Sequence, residues 1–172
     1  MVVQTRILTA EDASAYWKLR LEALQESPES FATSYEEAVM RENPVQRVAD
    51  ILSSNSAKTF GAFQDGELIG NIIVSFQTMP KLQHKASIFG VYVTPSARGK
   101  GIAEAIMQTL ISYIEQNSEV EVLDLTVVST NVPAIRLYEK IGFVKWGLEE
   151  KSMKNNDRFI DEWHMNLFIQ RR

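Results

Sequence analysis

The chain has 172 residues, 45% of them hydrophobic and 23% charged, with 18 Lys and Arg against 22 Asp and Glu and no Cys. That length gives one domain, 1–172, able to bury about two thirds of its unfolded surface, and the composition excludes general disorder. The absence of Cys excludes a disulfide scaffold, a Cys-ligated metal and acyl transfer through an enzyme thiolate, while a net charge of −4 argues against a nucleic-acid partner, which needs clustered cations.

The first residues, Met1 to Arg6, run into Glu11 and Asp12 without an apolar leader segment. No apolar stretch reaches the ~18–20 residues that cross a bilayer. A soluble, cytoplasmic protein without a membrane partner is expected.

Residues 2–8 read as a first strand, and Thr9 with Glu11 and Asp12 as a helix start. Ala15, Tyr16, Leu19, Ala23 and Leu24 keep helical spacing over 12–25, and Ser27-Pro28 ends that helix. The stretch 31–40 is irregular. Asn43-Pro44 opens a second helix carrying Val45, Val48, Ala49 and Leu52, since Pro fits a first turn whose amides lack partners. Strands over 58–64 and 67–77 flank Asp65-Gly66, a pair that takes the positive φ of a tight hairpin turn. Another strand covers 86–94, with a bulge expected at Gly90 or Val91.

Helical spacing returns over 101–116, a strand covers 120–128, and a short helix covers 132–141 with Pro133 in its first turn and Gly142 just past its end. The last pair of strands, 143–148 and 158–169, surrounds a polar turn at Lys154–Asp157, and Phe159, Asp161, Trp163, Met165, Leu167 and Ile169 share one face. The order is that of an α/β or α+β domain with a mixed sheet. The helical crossover 101–116 makes the strands on either side of it parallel.

The loop from Val93 to Ala103 joins a strand to a helix and holds Arg98, Gly99, Lys100 and Gly101. Two glycines admit close backbone approach, and a helix start with adjacent cations suits a phosphate or diphosphate. A Walker loop fails because Gly101 follows Lys100, and a dinucleotide fingerprint is disfavoured because Glu104 stands where its third glycine belongs and such a loop usually lies early in the chain. Taken alone, the loop is equally well a plain strand-to-helix turn.

A second motif accompanies it. Arg98 to Ala103, read as R-x-x-G-x-A, resembles the acyl-CoA pyrophosphate loop of the Gcn5-related N-acetyltransferase (GNAT) family, and Val91 to Pro95 resembles the strand leading into it. About thirty residues on, Asn131 to Phe143 resembles that family's N-x-x-A-x-x-L-Y-x-x-x-G-F helix. The resemblance implies a single-domain fold with a mixed sheet of about seven strands, about four flanking helices and a V-shaped cleft between the strands at 86–94 and 120–128. It further implies direct acetyl transfer from acetyl-CoA to a primary amine of a small molecule or peptide, in a ternary complex and without a metal. A non-catalytic acyl-CoA-binding module on the same fold is the alternative.

By the same resemblance, Val91, Tyr92 and Val93 would pair with the pantetheine arm, and Arg98, Gly99, Lys100, Gly101, Ile102 and Ala103 would hold the pyrophosphate. Asn131 and Ala134 would contact the cofactor, and Tyr138 would be both a cofactor contact and the general acid, a phenol that stays protonated at neutral pH. Asn131 also reads as a helix cap and Tyr138 as a core residue. The base is open: the stretch 85–89 offers no carboxylate, which leaves backbone-relayed water, Glu36, Glu37, His84 or His164. Phe31, Tyr35, Glu36 and Glu37, with Trp146, Asp157, Asp161 and Trp163, would frame the amine through charge and cation–π contact. The identity of the acceptor and a homodimeric assembly are left open.

Overall fold

The computed structural model describes residues 2–170; Met1 and the end of the 1–172 domain at Arg171 and Arg172 lie outside them. β1 (Val3–Ile7) pairs antiparallel with β2 (Ala57–Gln64), β2 with β3 (Glu67–Phe76), and β3 with β4 (Lys85–Val93). Asp65 and Gly66 make the β2–β3 turn at φ 51° and 83°, the positive values that a two-residue hairpin requires. Between β1 and β2 run α1 (Ala13–Glu26), α2 (Tyr35–Val39) and α3 (Pro44–Leu52). After β4 come α4 (Ile102–Asn117), β5 (Val122–Val128), α5 (Val132–Ile141), β6 (Val144–Asn155) and β7 (Arg158–Phe168).

The result is one seven-stranded mixed sheet in the order β1-β2-β3-β4-β5-β7-β6. The β4–β5 pair is parallel, as the crossover through α4 demands. Alternation decides what each face buries. Phe60, Ile72, Val74, Ile88, Leu123, Leu125 and Met165 meet Ile106, Met107, Leu110 and Ile114 of α4 and Ile135 of α5 in the main core, each large side chain contributing ~1.5–3 kcal/mol. On the opposite face α1 and α3 close two smaller clusters through Leu8, Ala13, Val48 and Leu52, and through Leu19, Ala23 and Tyr92.

Two segments depart from the sequence reading. The stretch 31–40 contains α2, too short to show a period and set by a capping box: Glu37 N–H donates to Ser34 Oγ at 3.1 Å and Ser34 N–H to Glu37 Oε2 at 2.9 Å. β6 does not stop at residue 148 but continues to Asn155, with Lys151 at φ 58° and a register shift between Glu149 and Met153. Asp161 fixes that irregularity by accepting from Lys151 N–H at 2.8 Å. Neither face is buried there, so no alternation marks the strand. The shared face of β7 holds for Trp163, Met165 and Leu167, which pack on the core, whereas Phe159 is exposed.

Candidate active site

The β4–β5 ladder runs from Lys85 opposite Val122 to Ile88 opposite Leu125. Beyond it Phe89–Val93 stays with β3 and Thr126–Val128 with β7, so the two strands part inside the sheet. The cause sits on β4. Gly90 has φ 61°, and Gly90 and Val91 together oppose Ile72, a bulge that bends the strand away. A Cβ on Gly90 would lie 2.9 Å from Ile73 Cδ1. Asn71, a nearly buried polar side chain on β3, donates from Nδ2 to the Gly90 carbonyl at 2.8 Å and pins the bulge.

The opening is a cleft of about 630 Å³. Val91, Tyr92, Val93, Arg98, Gly99, Gly101, Ile102, Ala103, Asn131, Ala134 and Tyr138 all line it. Lys100 does not: its Nζ folds back onto the Ser96 carbonyl at 2.9 Å. Gly99 and Gly101 have φ 72° and 75°, and nothing lies within 4 Å of where their Cβ atoms would stand. With the partnerless amides of the first α4 turn behind them, they form a cradle that fits a diphosphate. The Arg98 guanidinium donates from Nε to the Val93 carbonyl at 2.9 Å and lies 5.5 Å from the Tyr92 ring centroid.

Glu22 of α1, which sequence reading missed, joins this wall to the helix layer. It accepts from Tyr92 Oη at 2.8 Å and from Thr94 Oγ1 at 2.5 Å. Burial and then the Glu22 carboxylate push the Tyr92 phenol well above its usual range. Across the cleft, Asn131 caps α5 by accepting from Ala134 N–H at 3.3 Å. Tyr138 is 4% exposed and packs edge-on against Phe143 with centroids 5.9 Å apart. Desolvation pushes its pKa far up, so it stays a phenol. Its hydroxyl has no hydrogen-bond partner among the described residues.

A second cavity of about 650 Å³ adjoins the first, between α1–α2 and the tip of the β6–β7 hairpin. Phe31 and Glu29 border both, and Tyr35 and Glu36 line the second. Glu37 is spent on the Ser34 cap. Trp146 and Trp163 line neither cavity: Trp146 is 63% exposed beside His164, and Trp163 packs on the core under Lys145. Asp157 and Asp161 are equally absent from both walls.

His84 precedes β4 at the end opposite the cleft, and its carbonyl accepts from Glu121 and Val122 N–H. His164 is paired with Glu149 at 2.7 Å. Among the described residues no group of three or more His, Asp or Glu has metal-ligand geometry, and no helix is long and apolar enough to cross a membrane.

Comparison with known proteins points the same way. Residues 19–143 match the model of the acetyltransferase (GNAT) family. The chain is 32% identical over 101 residues to the L-amino acid N-acetyltransferase AaaT of Escherichia coli, a match covering 59% of this chain and 62% of that protein; the aligned part is thus less than two thirds of the relative. Its fold superposes on a GNAT-family acetyltransferase from Streptococcus pneumoniae with a TM-score of 0.88 at 20% identity, covering 98% of this chain and 100% of the other. It also superposes on yncA, a putative acetyltransferase of Salmonella typhimurium determined with acetyl-CoA, with a TM-score of 0.84 at 16% identity, covering 100% and 96%.

Proposed function

The chain belongs to the GNAT acetyltransferase family, and from that membership we propose that it is an acetyl-CoA-dependent N-acetyltransferase that moves the acetyl group directly to a primary amine. The observation that carries this reading is one cleft with an anion cradle at Gly99–Ala103 and a buried, protonated Tyr138 on its other wall. Acetyl-CoA, when bound, supplies the activated acetyl group and a leaving thiol.

The chain's own groups do the rest. The Gly99 to Ala103 backbone and Arg98 bind the diphosphate, and the edge of β4 at Val91–Val93 aligns the extended arm. A strand N–H beside the bulge stabilises the oxyanion. Tyr138 donates its proton to the departing sulfur, a role worth ~10²–10⁴ in rate for a positioned acid. Glu29, the carboxylate that borders both cavities, takes the ammonium proton directly or through water, which supplies the base that the 85–89 stretch lacks. Phe31, Tyr35 and Glu36 frame the acceptor. Every group named comes from one chain, so the reading does not depend on a dimer, and the cytoplasm is the compartment we expect.

Thiol release from acetyl-CoA across an amine panel tests this. Amine-dependent release that disappears in Tyr138→Phe is the expected result. Silence across the panel, with CoA still protecting against thermal unfolding, would make the protein a binding module instead. Protection by ATP or NAD in place of CoA would overturn the donor assignment.

A further inference from the structure

The stretch 27–31 brings Glu29 and Phe31 to the cleft, yet it is tied only to itself and to α1. Its backbone hydrogen bonds run from Ser27 N–H to the Ala23 carbonyl, from Ser30 N–H to that of Ser27 and from Phe31 N–H to that of Pro28. Among the described residues none reaches β4 or the glycine cradle. The stretch therefore goes where the end of α1 goes, and the seat of α1 on β4 decides how Glu29 stands against the cradle.

That seat has a polar pin. Glu22 lies one turn before the end of α1, and its Oε1 accepts both from Tyr92 Oη and from Thr94 Oγ1. Among the described residues these are the hydrogen bonds that join α1 to β4 and to the loop after it. One oxygen thus holds the chain on both sides of Val93, the last residue of β4. The Thr94 carbonyl accepts from Ala97 N–H in the turn that leads to Arg98, and Arg98 stands over the Tyr92 ring. On the other side Phe31, the wall common to both cavities, packs against Leu19, Ala23 and Tyr92. Hydroxyl bonds to a carboxylate are about twice as strong as neutral ones, and both hydroxyls here are part-buried, so losing their acceptor is costly. Glu22 itself lines neither cavity.

We propose that Glu22 is a positioning residue for the transfer: it fixes the 27–31 wall, with Glu29, against the donor end of β4, and acts through that alignment without touching either substrate. This rests on the acetyl-transfer reading above. Alignment is a large part of a two-substrate rate, and a misplacement of about 1 Å can cost ~10². The Gly99–Ala103 cradle belongs to the start of α4, and Arg98 keeps its bond to the Val93 carbonyl. Loss of Glu22 therefore falls on transfer and not on donor binding.

The test measures thiol release with the fastest acceptor of the amine panel, beside acetyl-CoA affinity by calorimetry. In Glu22→Ala, kcat/KM for the amine at saturating acetyl-CoA should fall at least about tenfold while acetyl-CoA affinity stays within about threefold. Glu22→Gln keeps a side-chain oxygen that accepts from both hydroxyls, and should stay within about threefold of wild type in both. Thr94→Val removes one donor and leaves Glu22 in place; it should lower transfer about threefold with the same split, and add nothing to Glu22→Ala. A merely structural role would lower the unfolding temperature and leave kcat/KM unchanged below it, which overturns the inference. Equal losses in affinity and transfer, or a Glu22→Gln as slow as Glu22→Ala, also overturn it, and all three results leave the acetyl-transfer reading standing. A wild type that binds acetyl-CoA and transfers to no amine overturns both. Should Glu22→Ala fail to fold, Thr94→Val decides by the same split.

Discussion

At the end of the cleft made by β4, α4 and α5 the protein presents backbone: glycine turns, a helix start, a bulge and a capped helix. At the end bordered by residues 27–36 and the β6–β7 hairpin it presents side chains, namely Glu29, Phe31, Tyr35 and Glu36. On the proposed function, the difference follows from what each end would recognise. A diphosphate and an extended arm would be met by amides and strand edges, which any compatible sequence supplies if Gly and Asn stand at the right positions. An acceptor would be met by charge and shape, which the fold leaves free to vary.

The sharpest way to separate the two ends is Tyr138→Phe. It should lower kcat by ~10²–10³ while acetyl-CoA affinity, measured by calorimetry, stays within about threefold; an equal loss in both would make the tyrosine a packing residue. Next comes Gly101→Val. Its Cβ points into open space at φ 75°, so the substitution costs the fold only ~1–2 kcal/mol of backbone strain but blocks the cradle, and acetyl-CoA binding should fall by roughly 10². Normal affinity in that variant would break the assignment of the donor end.

Asn71→Ala leaves the Gly90 carbonyl without its donor and should cost ~1–3 kcal/mol in urea unfolding. It should also reduce kcat more than acetyl-CoA affinity, because it loosens the bulge and not the cradle. Arg98→Ala and Lys100→Ala have smaller effects and should differ. Arg98 lines the cleft and Lys100 turns away, so the first should weaken acetyl-CoA by ~3–5-fold, less at high salt, and the second by under about twofold.

The smallest effect is on alkaline stability. Tyr138 and Tyr92 both have raised pKa values in the folded state, so below the ordinary phenol value of about 10 they titrate in neither state. Above it the unfolded chain gives up protons that the folded one keeps, and stability falls as pH rises. Urea midpoints at pH 9 and 10.5 should show that fall, and Tyr138→Phe should reduce it.

The same contrast explains what the residues disclose before folding. The Asp65-Gly66 turn, the Gly90 bulge, Gly101, the Asn131 cap and Gly142 are legible because each answers a backbone requirement that few residue types meet. Asn71 has a signal in retrospect, a lone amide in the apolar run of β3. Glu22 has none, since its partners Tyr92 and Thr94 lie some seventy residues away and only the fold brings them within reach. Trp146 and Trp163 mislead for the opposite reason: aromatic residues near a hairpin suit a binding wall or a packed sheet equally well, and register alone decides which.

The short parallel ladder also bears on how the molecule opens. β1–β4 and β5–β7 each carry long antiparallel ladders, but along the sheet they are joined only by the short junction of Lys85–Ile88 against Val122–Leu125 and the bonds from Glu121 and Val122 N–H to the His84 carbonyl, among the described residues. Opening along that seam should let the two parts exchange amide hydrogens at different rates, which hydrogen exchange would read. A donor held as proposed, by β4, α4 and α5, would touch both units. Its binding would therefore act as a clamp, and protection should rise together on β4 and β5, far from the diphosphate.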